Sequence, residues 1–458
     1  MSPRGRRVVQ CLLLAGMLAS ASVLAAAPTT ASWSVGEPIF TYGNWRPPTE
    51  LRPTLESLYG WPSGFDPTTL TPEIARQAAE AGFNLVWIND LSQLQIAESY
   101  GLRAQLIISG QQPQNNLFFE RPDGWPQTVD QPAVNALIDQ FKASPAAYSY
   151  FIIDEPGATR FDHLAAIVAY LKQRDPAHLA YINLFPSDEI TGDLQTTDYG
   201  TYLDKYLRTV QPALLSYDSY NLFANGDRGL FLGNMQRIAR AAAQARIPFM
   251  TYVQGYQMDP KRHPLTADEM RFLTYTPLAF GAQGISYFNY WAPRGPATGG
   301  LAPFPDGKPT AVYEALQTLS GPFKRIASQF SRLRWLGTYL KGYAGSAMPR
   351  FMTPPPAASS FDVPSLVNDM SYINGTPLKG ALLGYFGASD CSSTACATHV
   401  LLQNLDYTSS RVYRLQGPGP LSVYDARTGR WIPSAHNYAD LALEPGGCAL
   451  VALASLRN

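Results

Sequence analysis

Two acids stand side by side where an apolar run ends. Tyr150-Phe151-Ile152-Ile153 leads into Asp154-Glu155, and Pro156 stops the segment. A carboxylic acid at the end of an apolar strand loses hydration, which favours its protonated form and suits it to give up a proton to a substrate. Side chains alternate along a strand, so the two acids are expected to face differently. One would aim at a substrate while the other braces it or meets a neighbouring hydroxyl. The bland uses of such a pair are a strand-end salt bridge or a cap on the next helix. Asp218, in Tyr217-Asp218-Ser219-Tyr220, offers a second ionisable oxygen; its competing use is an ion pair with Arg228 or Arg46. Softer candidates are Asn89, Asp90, Asn183, Tyr220 and Tyr252, with Trp45, Trp87 and Trp291 able to stack on an apolar ligand face. Each of these also serves as ordinary core packing. The five histidines are scattered without metal-ligand spacing, so no metal and no organic cofactor is implied.

Chemistry needs a frame that brings these positions together. From Pro38 to Tyr290 short β-rich runs alternate with helical stretches. The runs are Pro38–Gly43, Phe83–Ile88, Ala104–Ser109, Tyr148–Asp154, Ala180–Leu184, Leu214–Tyr220, Pro248–Val253 and Gly284–Trp291. Thr71-Pro72-Glu73-Ile74 starts a helix with an N-cap and a first-turn proline, and Gly82 ends it. Phe161–Arg174 carries Leu164, Ile167, Val168 and Leu171 at helical spacing. Eight such units predict an α/β fold, a (β/α)8 TIM barrel, whose active site lies at the C-terminal strand ends. A doubly wound sheet would need a Gly-rich turn after the first strand, and Tyr42-Gly43-Asn44-Trp45-Arg46-Pro47 is not one. The loop Gln111–Gln127 is a candidate cleft wall.

Past Trp335 the pattern changes to Pro354-Pro355-Pro356 and then to short alternating strands, with a hairpin turn over Asp425–Arg430. The expected division is a signal peptide over 1–27, a barrel over 33–332 and a C-terminal antiparallel β-sandwich over 333–458. The N-terminus supports export: Arg4, Arg6 and Arg7 precede an apolar stretch from Val8 to Leu24, and Ala25-Ala26-Ala27 offers a cleavage site. Gln10 and Gly16 interrupt that stretch, which makes it a poor membrane span. A secreted or periplasmic protein is expected. In that oxidising setting Cys391 and Cys396, which flank four small residues, suit a local disulfide, while Cys448 reads as a buried free thiol. Lys+Arg and Asp+Glu are 35 each, so the basic footprint of a nucleic-acid binder is missing.

The barrel resembles clan A of the glycoside hydrolases, nearest in style to the family 42 β-galactosidases. That clan carries an acid/base Glu after the fourth strand, usually as Asn-Glu-Pro; this chain has Asp154-Glu155-Pro156. The resemblance implies that Glu155 is the acid/base, that Asp154 stands where the clan's Asn meets the sugar 2-hydroxyl, and that Trp291 floors a sugar subsite. It also implies a poly- or oligosaccharide substrate. One departure matters. The clan's nucleophilic Glu ends the seventh strand, and the aligned residue here is Gln254, whose amide cannot form a glycosyl ester. Glu269 lies nearby in sequence, but Thr266-Ala267-Asp268-Glu269 is a capping box. Three readings stay open. Asp218 could be the second catalytic carboxylate, about 5 Å from Glu155 for retention or roughly 6.5–9.5 Å for inversion. The substrate could supply its own acetamide nucleophile, since an adjacent Asp-Glu resembles hexosaminidases. Or the barrel could bind carbohydrate without cleaving it. Asp154, Asn89, Asn183, Tyr220, Gln254 and Trp291 are then the expected substrate-binding residues.

Overall fold

The computed structural model describes residues 54–57, 70–88, 90–108, 131–223, 226–227, 231–255, 264–288, 310–342, 361–367 and 380–454. Its first strands are β1 (Thr54–Ser57), β2 (Leu85–Ile88), β3 (Arg103–Ile107), β4 (Ala147–Asp154), β5 (Leu179–Leu184) and β6 (Leu215–Asp218). A short antiparallel ladder follows, β7 (Leu222–Phe223) with β8 (Gly226–Asp227), and then β9 (Phe249–Gln254) and β10 (Gly284–Phe288). Eight of these strands, all parallel, close into a barrel in the order β1-β10-β9-β6-β5-β4-β3-β2. Helices α1 (Pro72–Glu80), α2 (Leu94–Ser99), α3 (Gln131–Lys142), α4 (Phe161–Arg174), α5 (Thr191–Leu194), α6 (Tyr199–Val210), α7 (Phe231–Ala245), α8 (Ala267–Ala279) and α9 (Ala311–Ser328) lie between and after them.

The first strand is not where the sequence pattern puts it. The barrel's β1 is Thr54–Ser57, and Pro38–Gly43 lies outside the described residues. Thr54-Leu55-Glu56-Ser57 holds one apolar residue, so no run marks it; its place comes from pairing with β10 and β2. The signal segment 1–27 also lies outside the described residues.

Local chemistry sets several boundaries. The Thr71 hydroxyl accepts from Ile74 N at 3.3 Å and Pro72 opens α1. After it, Gly82 takes φ +88 with Ser320 so close that a Cβ would sit 2.3 Å from its Oγ. The capping box at α8 is formed: Thr266 Oγ1 accepts from Glu269 N and Glu269 accepts from Thr266 N.

Strand alternation divides the barrel into two faces. Outward side chains meet helices, as Tyr150 meets Phe141 of α3 at 4.7 Å and the Tyr287 hydroxyl meets Thr274 of α8. Burying such a large ring contributes roughly 1.5–3 kcal/mol. Inward side chains form a chain of rings across the interior: Trp87 to Phe151 at 4.4 Å, Phe151 to Tyr181 at 5.9 Å, and Tyr181 to Tyr252 at 6.5 Å. On this inner face the polar residues Asn183, Ser216 and Asp218 also lie.

After α9 come β11 (Arg334–Lys341), β12 (Asp362–Val367), β13 (Ala381–Gly387), β14 (His399–Asn404), β15 (Arg411–Gln416), β16 (Leu421–Asp425), β17 (Arg430–Pro433), β18 (Tyr438–Leu443) and β19 (Cys448–Leu453). They form an antiparallel six-stranded sheet, β11-β13-β14-β19-β16-β17, and a three-stranded sheet, β12-β15-β18. Leu383, Leu402 and Val451 of the larger sheet share a buried cluster with Tyr413, Leu415 and Leu441 of the smaller one. The larger sheet's other face packs on α8 so closely that a Cβ on Gly384 would come 2.2 Å from Ala279 O. Thr338 Oγ1 donates to the same carbonyl at 2.6 Å. The Asp425–Arg430 turn is a hairpin closed by Gly429, at φ +74, with its N–H on Asp425 O. Cys391 and Cys396 are disulfide-bonded and Cys448 is free. No described helix is long and apolar enough to cross a membrane.

Candidate active site

The site is built at the C-terminal ends of β4, β5 and β6. In β4 the register with β5 slips between Phe151 and Ile153, leaving Ile152 as an extra residue; beyond it Asp154 pairs with Asn183. A bulge of this kind re-aims the side chains that follow it. The next residue, Glu155, has φ +46, left-handed and unusual for a side chain other than glycine. Its N–H still bonds Asn183 O at 2.9 Å, so the ladder continues while the chain turns. Left-handed geometry costs about 1–3 kcal/mol and persists only where the surroundings enforce it. They do so here: Tyr202 of α6 donates to Pro156 O at 2.8 Å, and Gln195 Oε1 accepts from Thr159 N at 3.1 Å. A Cβ on Gly157 would lie 2.5 Å from the Gln195 amide, so that position must be small.

This turn overrides simple alternation. Asp154 and Glu155 do not part company; both join one cluster with Asp218. Asn183 Nδ2 donates to Asp154 Oδ1 and to Asp218 Oδ1, each at 3.0 Å. Ser216 Oγ donates to Asn183 Oδ1 at 2.9 Å, and the Tyr181 hydroxyl lies 2.6 Å from Ser216 Oγ. The Glu155 and Asp218 carboxyls act on each other's protonation. Asp218 is 8% exposed, and Asp154 and Glu155 are half-buried.

Burial and mutual repulsion govern the protonation of all three. Burial pushes the Glu155 carboxyl well above the carboxylate range, and the charges of Asp218 and Asp154 push it further. Burial also raises Asp218, with the charge of Asp154 adding to it and hydrogen bonds from Asn183 and Glu155 opposing it. Burial raises Asp154, and its bond from Asn183 opposes that rise. None of the three forms a salt bridge among the described residues. Burial and the charges of its two neighbours therefore favour a proton on Glu155.

Gln254 ends β9 close by, but its amide is occupied. Oε1 accepts from Leu222 N at 2.9 Å and Nε2 donates to Leu222 O at 3.0 Å, which ties the β7–β8 ladder to the barrel. Tyr220 is half-buried with its ring 5.7 Å from Phe288. Asn89, Trp291, Trp45, the loop 111–127, Arg46 and Arg228 lie outside the described residues. Tyr181 and Ser216 escaped the sequence reading. The one signal was Ser216 itself, a hydroxyl inside the apolar run Leu214-Leu215-Ser216-Tyr217. No group of three or more His, Cys, Asp or Glu able to hold a metal ion occurs among the described residues.

No family model matches the sequence, and no curated protein matches it. Solved structures share the fold. A glycoside hydrolase family 5 protein from Bacteroides vulgatus ATCC 8482 superposes with a TM-score of 0.52 at 12% identity, covering 89% of this chain and 91% of that one. A β-galactosidase from Bacillus circulans sp. alkalophilus gives 0.54 at 10% identity, covering 87% and 98%. The chain thus has a fold that glycoside hydrolases use. Nothing in the likeness singles out family 42.

Proposed function

We propose that this chain is an exported glycoside hydrolase, with Glu155 as general acid/base and Asp218 as its partner carboxylate. One observation carries the reading: at the C-terminal strand ends Asn183 joins Asp154 and Asp218, and burial with the charges of these two raises Glu155 beside them, with no salt bridge to any of the three among the described residues. A glycosidic oxygen reaching Glu155 takes its proton as the C–O bond breaks. Asp218 presents negative charge to the developing oxocarbenium ion. Glu155 and Asp218 act on each other's protonation and so stand near one another, the arrangement of a retaining pair with Asp218 as nucleophile. Asn89, Tyr220 and Trp291 are assigned to the subsite. Gln254 is assigned to holding Leu222, because both ends of its amide already serve that backbone.

The same cluster favours a second reading. Asp154 stands beside Glu155 on the same turn, and Asn183 bonds it as it bonds Asp218. A substrate 2-acetamido oxygen could then attack C1, oriented by Asp154, while Glu155 protonates the leaving group. In both readings the substrate is a poly- or oligosaccharide, the chain is cleaved near Ala25–Ala27, and the strands after residue 333 form a supporting β-sandwich.

Incubation with a panel of 2-hydroxy and 2-acetamido glycans tests this. Products that disappear in Glu155→Gln support the hydrolase, and cleavage confined to 2-acetamido sugars selects the second route. Glycan retention without products would replace the proposal with a carbohydrate-binding barrel.

A further inference from the structure

We propose that Tyr181 and Ser216 are positioning residues which, through Asn183, decide that Glu155 rather than either aspartate carries the proton of the three-acid cluster. This rests on the proposed role of Glu155 as acid. The argument is one of hydrogen counting. A hydroxyl has a single hydrogen. Ser216 spends its own on Asn183 Oδ1, so at 2.6 Å from Tyr181 it can only accept, and Tyr181 is the donor. With Oδ1 so occupied, the Asn183 amide presents its two N–H groups to the acids, one to Asp154 Oδ1 and one to Asp218 Oδ1. An N–H donor stabilises a carboxylate more than a carboxylic acid, so both aspartates are favoured in their charged form and the proton is left to Glu155, the one acid of the three that Asn183 does not bond.

The amide is the reversible part of this device. Turned over, Asn183 would offer its oxygen to the acids and reward a proton on Asp154 or Asp218 instead. Ser216 and Tyr181 oppose that orientation, because the hydrogens of both hydroxyls would have to turn with the amide. All of these side chains are buried, Tyr181 and Ser216 to within 1% of completely, so water does not substitute for a missing member. The other titratable groups acting on the cluster are Glu189 after β5, Tyr199 and Tyr202 of α6, and Tyr217 of β6. None of them bonds the Asn183 amide.

The test is a carboxyl titration of the full chain by NMR with 13C-labelled Asp and Glu, with Glu155→Gln assigning the Glu155 resonance. Wild type should show Glu155 losing its proton last of the three. Ser216→Ala should lower the Glu155 midpoint by about one pH unit, comparable to losing one well-placed hydrogen bond to a charged group. Tyr181→Phe should lower it by less, and Ser216→Thr should restore it. Folded variants in which the Glu155 midpoint does not move would overturn the proposal; should Ser216→Ala fail to fold, Tyr181→Phe decides alone. Because the readout is not turnover, a relay that behaves as expected in a protein that cleaves no glycan would sink only the hydrolase reading.

Discussion

The two ends of the barrel hold carboxylates in opposite condition. At the entry to β5, Asp175 is 2% exposed, yet its carboxyl lies below the ordinary range. Burial pushes it up, but donors overcome burial: His178 Nδ1 at 2.8 Å, the Tyr150 hydroxyl at 2.7 Å and Ala177 N at 3.2 Å. At the exit, Asp154, Glu155 and Asp218 divide between them little more than the two hydrogens of Asn183, and all three are raised. Burial is shared by both ends; the supply of donors is not. A saturated acid is a structural anchor, while an undersupplied cluster retains a transferable proton. The left-handed Glu155 belongs to the same contrast, since strain is kept where a side chain is aimed rather than satisfied.

The strongest test of that contrast replaces one acid at each end. Glu155→Gln should lower turnover on a cleaved glycan by about 10²–10⁴-fold, the usual contribution of a general acid, with the melting temperature unchanged or higher. Initial rates and calorimetry check both halves. Asp175→Ala should do the reverse. It strands the buried Tyr150 hydroxyl, costing about 1–3 kcal/mol of stability, and should leave kcat/KM within a few-fold. Equal losses of stability from the two substitutions would end the distinction. Gln254→Glu is a milder probe of the mouth. A carboxylate can still accept from Leu222 N but cannot donate to Leu222 O, so we expect about 1–2 kcal/mol of destabilisation in urea unfolding and no gain in rate.

The sequence made the acids visible and hid their geometry. Asp154, Glu155 and Asp218 stand out because charge at the end of an apolar run is costly. Seven strands stand out because their apolar runs must cover both faces of a parallel sheet. β1 had no such run. The turn that brings Asp154 and Glu155 into one cluster depends on a left-handed Glu155, which Tyr202 and Gln195 impose from α6 and the end of α5; no local residue announces it. The Gln254 clamp likewise needs Leu222 to be adjacent, a fact of barrel closure and not of either segment. Ser216 was readable as an oddity, but only the curvature of the sheet shows that it points inward at Asn183.

The smallest effect is the dependence of stability on pH, and its sign separates the two ends. Asp175 has a lowered folded-state value, so its contribution is present above the unfolded carboxylate pKa of about 3.9 and is lost as pH falls through the folded value. The mouth acids have raised folded-state values. Their contribution is present below the unfolded value and is lost as pH climbs through the raised ones, because folding then forces charge into a buried cluster. The melting temperature should therefore decline on both sides of a mildly acidic maximum. Scans between about pH 3 and about pH 9 should show Asp175→Asn with a flatter acid limb and Glu155→Gln with a flatter neutral-to-alkaline limb, each by a few degrees. A Glu155→Gln curve parallel to wild type above neutrality would mean that the mouth carboxyls are better supplied with donors than their neighbours suggest, and the contrast with Asp175 would no longer explain where the proton resides.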